Sequence, residues 1–313
     1  MKLSEQTKLV LAASASAAAA GAFAALCLTV FEDMSDRRFL HRKQREKREA
    51  QAHDEMRQQI RQEASSELTL TSENGEELKA LYIKPSSPSK TAVLLSHGHK
   101  SSSTGDIAIF VDFYRAKGYH VFLVDHRASG DSEGTFVSFG YFEERDIVKW
   151  TYKIKAIVGD DCNILLHGVS MGSAAVMMAA ADPDLPSNVK MAVADCGYTS
   201  AYEQLRYVFR EHHVIEEPAV SVVNEMTKKI VGYDLKDASP IDAVAHTSLP
   251  ILFIHGDSDD YVPAYMVQQL YDACTSKVKD LVIIPGAGHV ESYVKNRDLY
   301  EKKVNEFIEK TIK

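Results

Sequence analysis

Six short apolar runs are spaced along the chain from residue 92 onward, and they restrict its possible folds more than any other feature. A strand that is apolar at every position is buried on both faces, which is typical of a parallel sheet covered by helices. Stretches with helical spacing separate most of the runs, and the pattern therefore predicts an α/β fold. The runs are 92–95, 121–124, 164–166, 191–194, 251–254 and 281–284, and the clearest helical stretches are about 142–158, 264–274 and 296–312.

Two further strands are predicted before the first of these runs. Polarity alternates over 67–71 and 77–84 on either side of Asn74-Gly75, which is a strong hairpin signal. We therefore expect an antiparallel start to a mostly parallel sheet with helices on both faces. The segment 197–238 is longer than a crossover needs and rich in aromatic and aliphatic residues. We expect it to form a small helical cap over the strand ends, where ligands bind to such sheets.

The first 64 residues have a different character. From Leu9 to Phe31 there is no charged residue, and the run is long enough to cross a bilayer as a helix. We predict a single-pass anchor in the cell membrane over 1–31, a charged helical spacer over 32–64 and a catalytic domain over 65–313. A cleaved signal peptide and a buried soluble helix are the alternatives to the anchor. The basic stretch 37–48 favours a cytoplasmic spacer, but the side on which the catalytic domain lies stays open.

Charge and cysteine content exclude several classes of function. The chain has a net charge of -8, and the part from residue 65 onward contains 25 Lys and Arg residues and 35 Asp and Glu residues. This acidic excess disfavours nucleic acid and polyanionic substrates. The four cysteines lack paired or metal-site spacing, and no phosphate-binding glycine-rich motif is present. We expect buried free thiols, no metal and no cofactor, whereas the oligomeric state is left undecided.

Residues 168–172 read Gly-Val-Ser-Met-Gly, between the run 164–166 and a stretch of small residues with helical character. A strand, a sharp turn and a helix with serine at the apex are typical of a nucleophile elbow, because the flanking glycines permit so tight a turn. Ser170 is therefore the candidate nucleophile. Its candidate base is His289, which lies in a glycine-rich loop after the last predicted strand.

A carboxylate is needed to orient that histidine, and the loop after the run 251–254 offers three. Asp257, Asp259 and Asp260 all lie in it, and Asp195 follows an earlier run. The three loops would converge at one edge of the sheet in the order Ser, Asp, His. The imidazole would then remove the serine proton, while the carboxylate would hold the tautomer and stabilise the imidazolium.

These motifs together resemble the α/β-hydrolases, in the serine-aminopeptidase-like and acylglycerol-lipase-like branch that includes many bacterial membrane-anchored esterases. The resemblance covers about 67–313 and implies Asp259 as the acid, ahead of Asp257, Asp260 and the outside candidate Asp195. The motifs that carry it are Ser96-His97-Gly98-His99, the stretch from Asp125 to Gly134, the elbow, the stretch from Asp257 to Pro263, and Gly288-His289.

Acyl transfer also requires hydrogen-bond donors for the oxyanion. The elbow geometry supplies the backbone N–H of Met171, and the loop after His97-Gly98 is expected to supply that of His99. Whether the His99 side chain also contacts substrate stays open. His97 and His255 each lie in a His-Gly pair at the end of a predicted strand. We expect them to form structural hydrogen bonds and not to take part in catalysis.

The sequence thus predicts a serine hydrolase that cleaves small-molecule esters with lipophilic acyl groups through an acyl-enzyme intermediate. A serine peptidase of the same fold is the main alternative, and Glu211, Glu216 or Glu217 could then bind a free amine. A non-catalytic binding protein is the second alternative. Thioester hydrolysis would use the same catalytic residues, so the sequence does not distinguish thioester substrates from ester substrates.

Overall fold

Eight strands form one sheet in the computed structural model, which describes residues 21–35 and 58–312. Their order across the sheet is β1-β2-β4-β3-β5-β6-β7-β8. Only the pairs β1–β2 and β2–β4 are antiparallel, so the predicted antiparallel start and parallel remainder are confirmed. The strands are β1 (Ser66–Thr71), β2 (Glu77–Ile83), β3 (Thr91–Ser96), β4 (His120–Val124), β5 (Asn163–Val169), β6 (Val189–Asp195), β7 (Ile251–Gly256) and β8 (Lys279–Ile284).

Helices connect the strands and cover both faces of the sheet. A 3-10 helix, Asp106–Phe110, leads directly into the helix Val111–Ala116. The helices are α1 (21–35), α2 (58–63), α3 (Val111–Ala116), α4 (Tyr141–Val158), α5 (Met171–Ala179), α6 (Ala201–Glu211), α7 (Glu216–Ile230), α8 (Pro240–Val244), α9 (Tyr265–Ala273), α10 (Ser292–Lys295) and α11 (Arg297–Thr311).

The apolar runs are buried on both sides, as their lack of alternation predicts. On β3, Val93 and Leu95 pack in the cluster that includes α11, whereas Ala92 and Leu94 pack in the cluster that includes α4. Successive side chains of a strand point to opposite faces, so each run supplies two cores at once. Burying one leucine such as Leu94 stabilises the fold by about 1.5–3 kcal/mol.

The direction of chain winding reverses beside β3. From β3 the chain moves to β4 on one side and then to β5 on the other. In open α/β sheets a crevice forms at such a reversal, outside the carboxyl ends of the two strands. The loop after β3 and the turn after β5 therefore face each other across this crevice.

A helical cap lies over this edge of the sheet. Helices α6 and α7 fall within the predicted insertion 197–238, and they form a separate apolar cluster with Phe139, Val262 and the start of α5. The Ser200 hydroxyl caps α6 by accepting a hydrogen bond from the N–H of Glu203 at 3.1 Å. The sheet and the cap together leave a sheltered space above the strand ends.

The predicted membrane anchor lies only partly within the described residues, since residues 1–20 fall outside them. In the described ranges 21–35 and 58–312, no helix combines the length and the apolar character needed to cross a membrane. Helix α1 extends past Phe31 and packs on the domain formed by residues 65–312, where Cys27 and Phe31 are buried. The larger residues of this helix recur among the alanines at helical spacing, which gives it one apolar face.

The predicted spacer over 32–64 is described only at its two ends. Ile60 of α2 is buried, and Arg61 and Glu63 pair with Asp131 and Arg115 of the domain. Residues 36–57, including the basic stretch 37–48, lie outside the described residues.

Candidate active site

Ser170 lies in the turn between β5 and α5, with backbone angles that few residues other than glycine adopt. Its φ is 53° and its ψ is -115°, and its N–H donates to the Asp195 carbonyl at 2.9 Å. A methyl group on Gly168 would overlap the Gly172 carbonyl, and one on Gly172 would overlap the Ser96 carbonyl. The two glycines therefore allow β5, the loop after β3 and α5 to meet closely enough to hold the serine in a strained turn.

The loops after β7 and β8 bring an acid and a histidine to this serine. His289 Nε2 lies 2.9 Å from Ser170 Oγ, and His289 Nδ1 lies 2.8 Å from Asp259 Oδ2. These distances fit a continuous hydrogen-bonded chain in which Nδ1–H donates to the carboxylate and Nε2 accepts the hydroxyl proton. The three candidates named from the sequence thus lie together in the structure.

Asp259 is held as a buried carboxylate. Its Oδ1 accepts the backbone N–H groups of Tyr261 and Val262 at 3.0 and 2.8 Å. Burial by itself raises the pKa of Asp259, but hydrogen bonds from His255 and His289, the positive charge that His289 can carry and the Val262 N–H outweigh it. The pKa of Asp259 therefore lies well below its usual range.

The neighbouring acids occupy other positions. Asp257 is exposed and accepts the Gly286 N–H at 2.6 Å, and Asp260 is exposed as well. His255 Nε2 lies 2.8 Å from the Val262 carbonyl and 3.2 Å from Asp259 Oδ2, so it stabilises the loop that carries Asp259. Tyr261, which the sequence reasoning missed, places its ring 5.0 Å from that of His289.

The loop after β3 lies directly beside the serine. A Cβ on Gly98 would lie 3.4 Å from that of Ser170, and the next N–H along the chain is that of His99. Among the described residues no acceptor lies within hydrogen-bonding geometry of that N–H, and Met171 occupies the first position of α5, where N–H groups lack intrahelical partners. Both N–H groups are thus available for an oxyanion.

Asp106 and His97 hold this loop in place. Asp106 Oδ2 accepts the Gly98 N–H at 3.0 Å, and burial raises the pKa of Asp106. His97 donates from Nδ1 to the Gly98 carbonyl at 2.7 Å and accepts the His126 N–H at Nε2, 3.0 Å away. His97 is therefore engaged in structural hydrogen bonds. No motif marks Asp106, because its role depends on a contact across eight residues of loop.

The His99 side chain contacts α1. Its Nε2 donates to the Met34 carbonyl at 2.7 Å, and its ring lies 5.1 Å from that of Phe139. Burial, followed by the positive charge of Lys100, lowers the pKa of His99 to about 4, so the ring is neutral near pH 7. Helix α1 is thereby tied to the loop that carries the His99 N–H.

Asp195, the outside candidate for the acid, belongs to a different network. Its Oδ2 accepts the Tyr300 hydroxyl at 3.0 Å, and that hydroxyl in turn lies 2.9 Å from His167 Nε2. Burial raises the pKa of Asp195 to about 6. Its carboxylate therefore supports the sheet beneath the elbow and does not orient His289.

This raised pKa predicts a pH-dependent stability. The folded protein retains a proton that the unfolded chain releases near pH 3.9, so the stabilisation is full below about pH 4 and is lost as the pH rises through about 6. Between pH 4 and pH 8, the free energy of unfolding of the wild type should fall by about 2–3 kcal/mol more than that of Asp195→Asn. Urea unfolding at both pH values measures this difference, and identical pH dependence in the two proteins would contradict it.

One group of side chains in the described residues has the spacing of a metal site. Ligand atoms of Cys196, Asp259 and His289 lie within 4.8 Å of one another. Asp259 and His289 already hydrogen-bond each other, and burial holds the pKa of the Cys196 thiol well above its usual value. The neutral thiol is a poor ligand, since metals bind the thiolate. The arrangement therefore favours acid–base chemistry over metal binding.

A cavity of about 600 Å³ lies next to the loop of His99 and to Tyr261, the neighbour of His289, and its volume is within the size range of small-molecule sites. His99 and Tyr261 line it at the catalytic end. Its walls come mainly from α1 and α6 and are mostly apolar. The remaining lining residues are Thr29, Val30, Asp33 and Met34 of α1; Ala201, Gln204, Leu205 and Val208 of α6; and Lys100, Phe139 and His212.

Comparison with protein families gives a match over most of the hydrolase domain. A model of the prolyl oligopeptidase family matches residues 109–313. The chain belongs to this family. The α/β-hydrolase superfamily predicted from the motifs is thereby confirmed, and the protein is an α/β-hydrolase.

This member of the prolyl oligopeptidase family is similar to the Bacillus subtilis (strain 168) protein YqkD, with 28% identity over 84% of this chain and 85% of the relative. The Saccharomyces cerevisiae membrane protein YNL320W is 24% identical over 77% of this chain and 78% of its own length.

Two solved structures show the same fold. The Pyrococcus furiosus esterase Pf2001 has a TM-score of 0.64 and 20% identity, over 79% of this chain and 91% of its own. The Pyrococcus horikoshii acylaminoacyl peptidase has a TM-score of 0.59 and 19% identity, over 79% of this chain and 41% of its own.

Proposed function

We propose that the protein is a serine hydrolase that cleaves carboxylic esters with lipophilic acyl groups. The observation that carries this proposal is the hydrogen-bonded chain from Asp259 through His289 to Ser170. Such a chain converts a weakly nucleophilic hydroxyl into an effective nucleophile, because the imidazole accepts the proton as the hydroxyl oxygen attacks.

In the first half of the reaction, Ser170 Oγ attacks the ester carbonyl carbon while its proton passes to His289 Nε2. The backbone N–H groups of His99 and Met171 stabilise the negative charge on the carbonyl oxygen. Asp259 stabilises the imidazolium, which then gives its proton to the departing alcohol oxygen. This leaves the acyl group on Ser170 Oγ.

In the second half, His289 removes a proton from water, and the resulting hydroxide oxygen attacks the acyl carbonyl. The same two N–H groups stabilise the second tetrahedral oxyanion. The protonated imidazole then returns its proton to Ser170 Oγ as the carboxylic acid leaves. No cofactor enters either half of the reaction.

The mostly apolar cavity next to His99 and Tyr261 supports a lipophilic acyl group. Two of the three glutamates that could bind a free amine are engaged elsewhere: Glu216 lies 2.7 Å from Arg210 and 3.3 Å from Arg206, and Glu217 accepts the Tyr202 hydroxyl at 2.8 Å. An amine arriving there would have to displace these partners, which disfavours an aminopeptidase. Membership of the prolyl oligopeptidase family favours a peptidase as the second candidate function.

A substrate panel separates the two candidates. The full chain should hydrolyse p-nitrophenyl esters with kcat/KM above about 10⁴ M⁻¹s⁻¹ at its preferred acyl length, and should react with a fluorophosphonate. Turnover of aminoacyl or acylaminoacyl p-nitroanilides without ester turnover would establish the peptidase instead. A folded protein that hydrolyses neither class and resists the fluorophosphonate would contradict both.

We further propose that the protein is attached to a membrane through its N-terminal residues. Residues 9–20, the part of the uncharged run that precedes α1, support this and lie outside the described residues, and the yeast relative is described as a membrane protein. The ester assay tests the idea if it is run on cell fractions containing the full chain. Activity in carbonate-washed membranes supports attachment, and activity confined to the supernatant contradicts it.

A further inference from the structure

Helix α1 is fastened to the catalytic end of the domain by polar contacts. The Met34 carbonyl accepts the His99 Nε2–H at 2.7 Å, and the Ser35 carbonyl accepts the Val137 N–H at 3.0 Å. Lys100 Nζ lies 3.0 Å from Asp33 Oδ2. His99 and Lys100 both belong to the loop beside Ser170, so the position of α1 is coupled to that of the catalytic loop.

An apolar stripe fixes the rotation of α1 about its axis. Phe23, Cys27, Phe31 and Met34 recur at intervals of three or four residues and pack in one cluster with the cap. The Phe31 ring lies 6.2 Å from that of Phe136. Leu28 is on the outer side and is 44% exposed. Val30 therefore faces the domain, and Leu28 faces away from it.

The cavity runs between α1 and α6. At its catalytic end the Gln204 amide donates to the Tyr261 carbonyl at 2.6 Å, and the Tyr261 ring contacts His289. At its far end lies His212, and the span from Gln204 to His212 is roughly 12 Å along a helix. On the opposite wall, Val30 is one turn farther from the catalytic loop than Met34.

We infer that α1 forms one wall of the acyl-chain site, and that Val30 and Val208, on opposite walls, determine the acyl length that the enzyme accepts. This inference rests on the proposed ester hydrolysis and assigns substrate selection to a helix outside the hydrolase fold. The occupant is an uncharged alkyl chain, because Val30, Leu205 and Val208 offer it no hydrogen-bond partner. The ester group remains at the end near His99.

Val30→Trp in the full chain tests this assignment. The ratio of kcat/KM for p-nitrophenyl laurate to that for p-nitrophenyl acetate should fall at least about tenfold, because the indole occupies space that only a long chain uses. Val208→Trp should lower the same ratio from the other wall. Val30→Ala should move the preferred acyl length upward, and this opposite shift distinguishes a resized site from a helix that has merely detached.

Leu28→Trp is the matched control, since it adds the same indole to the outer side of the same helix. It should keep the laurate-to-acetate ratio within about twofold of wild type. The inference is overturned if Val30→Trp also keeps the wild-type ratio. It is equally overturned if Val30→Trp changes kcat/KM only for acetate esters of progressively longer alcohols, because the cavity would then hold the alcohol group.

A binding measurement keeps this test separate from the proposed function. If the wild-type chain hydrolyses no ester, the proposed function has failed, and the cavity is then probed with dansylundecanoic acid bound to Ser170→Ala. A dissociation constant at least about tenfold weaker in Ser170→Ala/Val30→Trp, but not in Ser170→Ala/Leu28→Trp, supports the acyl-chain site. Equal binding by all three proteins overturns it.

Discussion

Ser170→Ala is expected to lower kcat for ester hydrolysis by about 10⁴-fold or more. The methyl group cannot form the acyl-enzyme, and His289 loses the hydroxyl that lies 2.9 Å from its Nε2. The residual rate would come from the oxyanion donors and substrate binding alone. Single-turnover kinetics with the preferred p-nitrophenyl ester measures the loss, and fluorophosphonate labelling should disappear with it.

Ser173→Ala is the matched control for this substitution. Ser173 is buried on α5, three residues after the nucleophile, and its hydroxyl has no recorded partner among the described residues. Removing that hydroxyl should leave both ester turnover and fluorophosphonate labelling in place. Loss of activity in Ser173→Ala equal to that in Ser170→Ala would assign the effect to a disturbed elbow. Retained activity in Ser170→Ala would remove Ser170 from the proposed mechanism.

Asp259→Asn should have the second largest effect, a fall in kcat of about 10⁴-fold. An amide cannot stabilise the imidazolium, and its NH₂ group can face His289 Nδ1 and so favour the tautomer whose Nε2 carries a proton. That tautomer cannot accept the serine proton. Because the substitution is nearly isosteric, KM should change much less than kcat. A full kinetic comparison with wild type across pH 5–9 measures both parameters.

Asp260→Asn is the control for this second prediction, since it makes the same chemical change at the next, exposed position. It should stay within about threefold of wild type. Activity of Asp259→Asn within tenfold of wild type, together with a large loss in Asp195→Asn or Asp257→Asn, would move the role of acid to another carboxylate. Near-ultraviolet circular dichroism of each variant separates loss of the acid from loss of the fold.

Much of the sheet was predictable because its signals are local. The apolar runs at 92–95 and 164–166 have no polar face, and only a strand covered on both sides can use them. The elbow was predictable for a similar reason. Gly168 and Gly172 are required because a side chain at either position would collide with a residue of the same turn or of the adjacent strand. The same reasoning placed a helical cap within 197–238, where α6 and α7 are found.

The choice among carboxylates was not decided by local sequence. Asp257, Asp259 and Asp260 share one loop, and resemblance to the α/β-hydrolases alone favoured Asp259. In the structure the distinction is burial and direction: Asp259 points inward to His289 and receives two backbone N–H groups, whereas its neighbours are exposed. Asp106 and Tyr261 left no sequence signal at all, because each acts through a contact that folding creates.

The position of the N-terminal segment was not decided by its sequence. An uncharged run rich in alanine is compatible both with a bilayer and with a protein surface, since each is apolar. Only the tertiary contacts of Cys27, Phe31 and Met34 place residues 21–35 against the cap and the loop of His99. The resulting cavity belongs to two segments far apart in the chain.

Local sequence patterns were therefore sufficient to predict the sheet, the elbow and the residue types available for acyl transfer, because periodicity and steric limits act over a few residues. The carboxylate that meets His289 and the helices that enclose the cavity were settled only by the tertiary structure. Those properties depend on distances between loops that are far apart in sequence, and such distances exist only after the strands have assembled in their final order.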